Sequence, residues 1–533
     1  MRLKQFIAPL TLSAVLAGIA CNDLLNEDPQ GFATTDAFYK TGADLNSATL
    51  ATYSALRGLE GQSNWTTLEL ASDQARADNR EPNAGTYGPD RLDWDASTGR
   101  TDQYWATMYS VITRANLVLS KGPGVTTGYE AMRTYNLAEA KFLRGYAYLW
   151  LSKAYNDVPL LLSPEEQANP RPTRTPVEQV HQAVIKDLTE AEAALPVTWG
   201  ASDAFGLPTQ GRATRGAAQM ALADLYLWRA SFLDSGKVAA EWQLASDWAD
   251  SVLTSGAWEL NDDYIKTFLP IFKGNREMIF VITNSGKNDR SSNIFQLFYY
   301  PRDWGLDLGQ GGGWGLIHPT KWFYNSYLPG DYRRSTGGDF TSQAAYVDRG
   351  CSFSGVCPAT SPAPNDTFAD GPMPWKYRKS DNGATWWLGD VDIPLYRFAE
   401  AILIYAEAQN ELGNPSVAAQ YLNMIRARAR KGTGTESRAE PHDYGTAPGE
   451  LLDKLSLREA IFMERVWEFA FEAKRWFDLV RRDSEEPGYW KNSLDQHDDN
   501  ATAAGKLVEF RKRFPIPQAQ RNVNPSLTQN PGY

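Results

Sequence analysis

Tyr396-Arg-Phe-Ala-Glu-Ala-Ile-Leu-Ile-Tyr-Ala-Glu-Ala-Gln-Asn-Glu-Leu-Gly-Asn-Pro-Ser-Val-Ala-Ala-Gln-Tyr-Leu-Asn-Met-Ile-Arg426 reads as two helices and the turn between them. Ala399, Ile402 and Ala406 recur at helical steps on the first, and Val417, Tyr421 and Ile425 on the second. Gly413 can stop one helix and Asn414-Pro415 can start the next, so each end has the residue type its unpaired backbone groups require.

The same texture recurs upstream. Trp105, Met108, Ile112, Ala115 and Leu119 predict a helix over 102–120, and Leu137, Ala140, Leu143, Ala147 and Trp150 predict its partner over 133–155. A second pair is expected over 176–195, with Thr175 as N-cap and Pro176 at the first helical position, and over 213–232, where Ala217 and Ala221 alternate with Leu225 and Trp228. A further amphipathic helix fits 241–255. The expected fold is mainly α, built of hairpins that look like tetratricopeptide units. Between 258 and 394 the helical period is lost. Ile279-Phe-Val-Ile-Thr283 reads as a short strand, and Gly, Pro, Asn, Trp and Tyr dominate the rest, so this is taken as a loop-rich insertion with short strands. It separates an N-terminal helical part, 39–257, from a C-terminal part with an extended tail, 395–533.

The 533 residues carry a formal charge of -11 and no basic run, which argues against nucleic acid or an anionic membrane surface as partner. Arg2 and Lys4, then an apolar stretch ending at Gly18-Ile19-Ala20-Cys21, read as a signal peptide over 1–20. A cysteine at that place resembles the lipidation site of bacterial lipoproteins, with 21–38 as lipid anchor and tether; soluble secretion is the other reading. Asp23, Glu27 and Asp28 resemble the acidic tract that sends such proteins to the outer face. Cys351 and Cys357 form either a local disulfide or two free thiols.

Catalytic patterns are sparse. His181, His318, His442 and His497 are far apart with no HExxH spacing, and neither GxxxxGK[ST] nor GxSxG occurs. No cofactor and no metal site is expected, although loop oxygens over 381–392 could meet on calcium, and paired carboxylates for sugar hydrolysis are not testable from spacing. Aromatic residues make up 12% of the chain, including 18 Trp and 25 Tyr, a surplus that needs a role. Trp65, Tyr87, Trp94, Tyr300, Trp304 and Trp314, with Tyr299 beside them, are the candidate ligand-binding rings. An indole or phenol face packs on the C–H face of a sugar while Asp73, Asn79, Asn83 or Arg302 would meet its hydroxyls. Packing onto the helical body is the competing role for each ring. Trp304 and Trp314 stand among glycines, which have no side chains to cover them.

Leu457-Arg-Glu-Ala-Ile-Phe-Met-Glu-Arg-Val-Trp-Glu-Phe-Ala-Phe-Glu-Ala-Lys-Arg-Trp-Phe-Asp-Leu-Val-Arg-Arg482 places Glu464, Glu468 and Glu472 four apart among large aromatics, so some of these acids are expected to pair with arginines rather than form the solvated face such a run usually means. With Glu464-Arg465, Glu468-Phe469, the run Arg475-Trp-Phe-Asp-Leu-Val-Arg481 and the tail Phe514-Pro-Ile-Pro to Asn530-Pro-Gly-Tyr533, the chain resembles the SusD/RagB family. It departs where Ala473, not Gly, follows Glu472. Four prolines predict that the last twenty residues are neither helix nor central strand and lie extended on the folded body.

The resemblance implies a lipid-anchored lipoprotein on the cell surface at the outer membrane. Such a protein captures oligosaccharides, or less often peptides, performs no chemistry, and sits as a lid over a SusC-like TonB-dependent transporter, with its helical repeats facing the transporter; the weak, reversible capture such a lid needs predicts a shallow site. The rival readings are an exported glycoside hydrolase and a transporter partner with no ligand site of its own.

Overall fold

The computed structural model describes residues 38–77, 88–97, 100–128, 130–232, 235–287, 292–299, 314–328, 330–334, 346–347, 373–374, 376–377, 389–431, 440–497 and 505–533. The longer helices are α1 (Gly42–Leu56), α2 (Gln62–Leu70), α3 (Thr101–Lys121), α4 (Glu130–Tyr155), α5 (Val177–Ala194), α6 (Arg215–Ala230) and α7 (Ser235–Leu253) before the insertion. After it come α8 (Phe398–Glu411), α9 (Pro415–Ala429), α10 (Lys454–Glu468), α11 (Arg475–Glu485) and α12 (Tyr489–His497).

Each helix from α3 to α9 packs against the next, giving the expected succession of hairpins. Gly413, at φ +87°, ends α8 in the left-handed conformation that costs glycine least, and Pro415 opens α9. The expected N-cap of α5 is one residue out: Pro176 occupies the cap. Asp157 accepts the Val177 N–H at 2.8 Å, so a distant carboxylate satisfies the helix start, while Thr175 bridges to Val158.

The insertion is closed at its base. β2 (Met278–Ile282) runs antiparallel to β6 (Ile393–Arg397), so its first and last strands lie side by side. Two smaller antiparallel ribbons join β1 (Ala75–Ala77) to β3 (Ile317–Pro319), and β4 (Tyr346–Val347) to β5 (Met373–Pro374).

The tail corrects one expectation. Gln518–Val523 is a short helix, because the proline-free window after Pro517 is long enough for a turn and a half. The rest does run over the body. Phe514 N–H bonds Ala154 O at 2.8 Å, Gln518 N–H bonds Ala96 O at 2.7 Å, and Asn530 donates to Tyr155 O at 3.1 Å and Phe514 O at 2.7 Å.

Beneath these elements lies a buried lattice of charge. Arg397, at the end of β6, reaches Glu472 (2.8 Å), Glu277 (2.8 Å) and Glu468 (2.6 Å). Arg428 on α9 pairs with Glu277 and Glu468, Arg333 with Asp331, Glu464 and Glu468, and Lys376 with Glu472. The expected pairing with arginines is met and extends to all three glutamates, with partners from β6, α9 and the insertion. Burial pushes the Glu468 carboxyl up, but Arg428, Arg397 and Arg333 together outweigh it and hold Glu468 well below the ordinary carboxylate range. Ala473, where the family form has Gly, takes φ +56°, and its N–H bonds Glu69; the left-handed backbone explains the usual glycine.

A second cluster clasps the loop between α9 and α10. His442 Nδ1 lies 2.7 Å from Glu440 and Nε2 2.8 Å from Glu450, and only the imidazolium can donate to both. Those two hydrogen bonds raise the His442 pKa above its ordinary 6.5. Arg430 pairs with Asp443 at 2.7 Å, and Arg426 donates to His442 O at 3.1 Å.

Arg397→Met leaves Glu468 and Glu472 short of a partner and should destabilise the protein by about 3–5 kcal/mol, read as a lower urea midpoint. An unchanged midpoint would remove the lattice from the account of stability. The raised His442 pKa makes the clasp complete below pH 6.5 and loosens it as pH rises through the folded value. Protection factors of the amides over 440–453, exchange rates corrected for their intrinsic pH dependence, should accordingly be higher at pH 6 than at pH 8.5, and His442→Gln should erase that difference.

Candidate ligand-binding site

The site grows from the β1–β3 ribbon. At its base Asp73 takes a bidentate pair from Arg475 on α11, both bonds 2.7 Å. Burial pushes the Asp73 carboxyl up, yet the Arg475 guanidinium outweighs it and holds Asp73 well below the usual carboxylate range. Thr320, just after β3, donates its hydroxyl to Asp73 O at 2.7 Å and its N–H to Gln74 O at 3.0 Å. The same hydroxyl accepts the Phe323 N–H at 3.2 Å and so caps the six-residue helix Lys321–Ser326.

Trp322 lies on that short helix. Its indole is stacked flat on the His497 imidazole, ring centres 3.7 Å apart and planes 9° from parallel. An open cleft of about 410 Å³ is lined by Lys321, Trp322, Asn325, Ser326, Gln496 and His497. Ser493 on α12 spends its hydroxyl proton on Asp73, 2.6 Å away, so its lone pair faces His497 Nδ1 at 3.3 Å. Nδ1 is therefore the protonated nitrogen, which leaves Nε2 for a ligand. A flat ring pair edged by amides, a lysine and an imidazole can stack on a sugar face and bond its hydroxyls.

The other end of the ribbon is about 7 Å away, two strand steps. There Ala77 stands opposite Ile317 and donates its N–H to Asp90 at 2.9 Å. Trp314 N–H bonds Leu297 O at 2.7 Å, and Leu316 N–H bonds Phe298 O at 2.8 Å. The described residues that border 78–87 and those that border 300–313 therefore meet at one place.

Two expected ligand rings are corrected. Trp65 is 2% exposed, donates to the Tyr299 hydroxyl at 2.8 Å and sits edge-on to Phe295. Trp94 is 1% exposed, donates to the Tyr533 hydroxyl at 2.8 Å and lies edge-on to Trp476 and Phe514. Neither has a face left for a ligand, and Tyr299 and Asp73 are equally buried. The tail covers Trp94, a contact between distant parts of the chain that no local pattern announces. Trp314 is half-buried beside Phe298 and keeps part of its surface. Tyr87, Tyr300 and Trp304 lie outside the described residues, as do Asn79, Asn83, Arg302, Cys21, Cys351 and Cys357.

Sequence reasoning missed Trp322 and His497. The Thr320 cap was the available signal, but the stack joins residues 175 positions apart and has no local signature. Among the described residues no three His, Cys, Asp or Glu side chains converge to hold a metal ion, and 381–388 lies outside them. Asp392, at the end of that stretch, pairs with Lys273 at 2.8 Å.

Known proteins share this architecture. The family described as "SusD family" matches residues 357–533, and the one described as "Starch-binding associating with outer membrane" matches 36–227. SusD-like protein P2 of Formosa agariphila is 28% identical over 97% of this chain and 98% of its own. The starch-binding protein SusD of Bacteroides thetaiotaomicron is 26% identical over 83% of this chain and 80% of its own. Among solved structures, surface glycan-binding protein A from Bacteroides uniformis superposes with a TM-score of 0.73 at 20% identity, covering 92% of this chain and 99% of that one. Matches at both ends of the chain, full-length relatives and a shared helical scaffold agree with the Glu464–Arg481 signature seen here as a buried ion lattice: the chain belongs to the SusD/RagB family.

Proposed function

We propose that this protein captures oligosaccharides at the cell surface and hands them unaltered to a SusC-like TonB-dependent transporter, held to the outer membrane by a lipid on Cys21. The observation that carries the reading is the Trp322–His497 stack facing an open cleft. Weak, reversible capture suits delivery, and an open platform allows faster release than an enclosed pocket. Relatives whose names describe starch and glycan binding support this ligand class. Tyr87, Tyr300 and Trp304 belong to the same reading, because the described ends of their segments converge at the β1–β3 ribbon beside Trp314. In this reading the α3–α9 hairpins supply the face that docks on the transporter.

Once a glycan screen on residues 22–533 has identified a bound oligosaccharide, Trp322→Ala should weaken it by about tenfold, the loss of one ring contact worth about 1.5 kcal/mol. Trp314→Ala should weaken it less, since both rings are half-buried but only Trp322 lines the cleft. Calorimetric titration checks both. Unchanged affinity in both variants would move the site elsewhere, and turnover of the oligosaccharide would replace capture with hydrolysis.

A further inference from the structure

Among the described residues, the lining of the cleft beside Trp322 carries positive charge and no negative charge. Its ionisable lining groups are Lys321 and His497, and the other polar ones are Asn325, Gln496 and Ser326. The Ser326 hydroxyl is already committed, donating to Phe323 O at 2.7 Å and accepting from the Trp467 indole N–H at 2.9 Å. No carboxylate lines the cleft among the described residues. Asp73 lies behind His497, its charge met by Arg475, and Asp495, on the same helix as His497, is not part of the lining. Lys321 is exposed and makes no ion pair among the described residues, whereas Lys153, Lys273, Lys376 and Lys474 are each tied to a carboxylate.

We propose that this cleft selects sugars that carry a carboxylate or sulfate group, a specificity that rests on the reading of the Trp322 platform as the glycan site. A pyranose ring laid on the indole puts its ring substituents at the rim, where Lys321 can meet an anionic group and the Asn325 and Gln496 amides can meet hydroxyls. The charge of -11 on the whole chain does not oppose this. At physiological salt, screening acts within about 8 Å, so groups at the rim outweigh distant acids. The acidic composition of the chain alone would point to neutral or basic ligands, and the described lining of the cleft reverses that expectation locally.

The test uses matched pairs of oligosaccharides that differ only in charge: an oligogalacturonate against its methyl ester, and a sulfated galactan fragment against its desulfated form. Each is titrated into the full mature chain, into Lys321→Gln and into Trp322→Ala. The charged member of at least one pair should bind about three- to fivefold tighter, a gap that closes in Lys321→Gln and shrinks as salt is raised. Which pair responds separates carboxylate from sulfate recognition. Equal affinity within both pairs, or binding of neither charged member, overturns the selectivity. Neutral members that bind and are lost in Trp322→Ala would then leave the glycan site standing, whereas binding that ignores Trp322→Ala would remove the site itself.

Discussion

Arg397 and the carboxylates of Glu277, Glu468 and Glu472 form the contact on which the rest of this molecule leans. The three acids come from the start of β2, the end of α10 and the turn before α11, and the arginine closes β6. One guanidinium thereby ties the base of the insertion to the C-terminal helices. Buried ions cost several kcal/mol each to remove from water, so this arrangement is stable only because nearly every charge has a partner at hydrogen-bond distance. Its merit is geometric: a guanidinium and a carboxylate accept few alternative arrangements, whereas an apolar contact tolerates many.

The same residue types extend that order to the candidate site. Glu464, Glu468 and Glu472 hold the lattice, and six residues later in the signature Asp478 takes Arg465 and Arg481, each at 2.9 Å. Arg475, between them, leaves this network and grips Asp73 across the molecule. Asp73 in turn receives Ser493 and sits behind His497, while its backbone carbonyl takes the Thr320 hydroxyl. One aspartate thus contacts the elements that carry both rings of the platform, and the family signature holds that aspartate through Arg475.

Much of the scaffold was legible in the chain. Helices α3 to α9 followed from period, from small residues such as Ala217 and Ala221 and from punctuation such as Gly413, all of which act over a few residues. The glutamate ladder was legible too, because Trp467, Phe469 and Phe471 leave it no wet side. The site was not. Trp94 stands in irregular chain and Trp322 on a helix of only six residues, and only the tertiary fold decides that Tyr533 and Phe514 enclose the first while His497 stacks on the second. A short, non-periodic segment holds no record of what covers it, so ring exposure had to wait for the fold.

The central claim is that a buried ion lattice holds an indole–imidazole platform open to a sugar. A crystal structure of the mature chain grown with a recognised oligosaccharide tests it most directly. The account predicts a pyranose ring parallel to the Trp322 indole at van der Waals distance, with polar contacts from the Asn325, Gln496 or His497 side chains and the Asp73–Arg475 pair intact. A sugar seated away from the β1–β3 ribbon, with the Trp322 cleft empty, would contradict it.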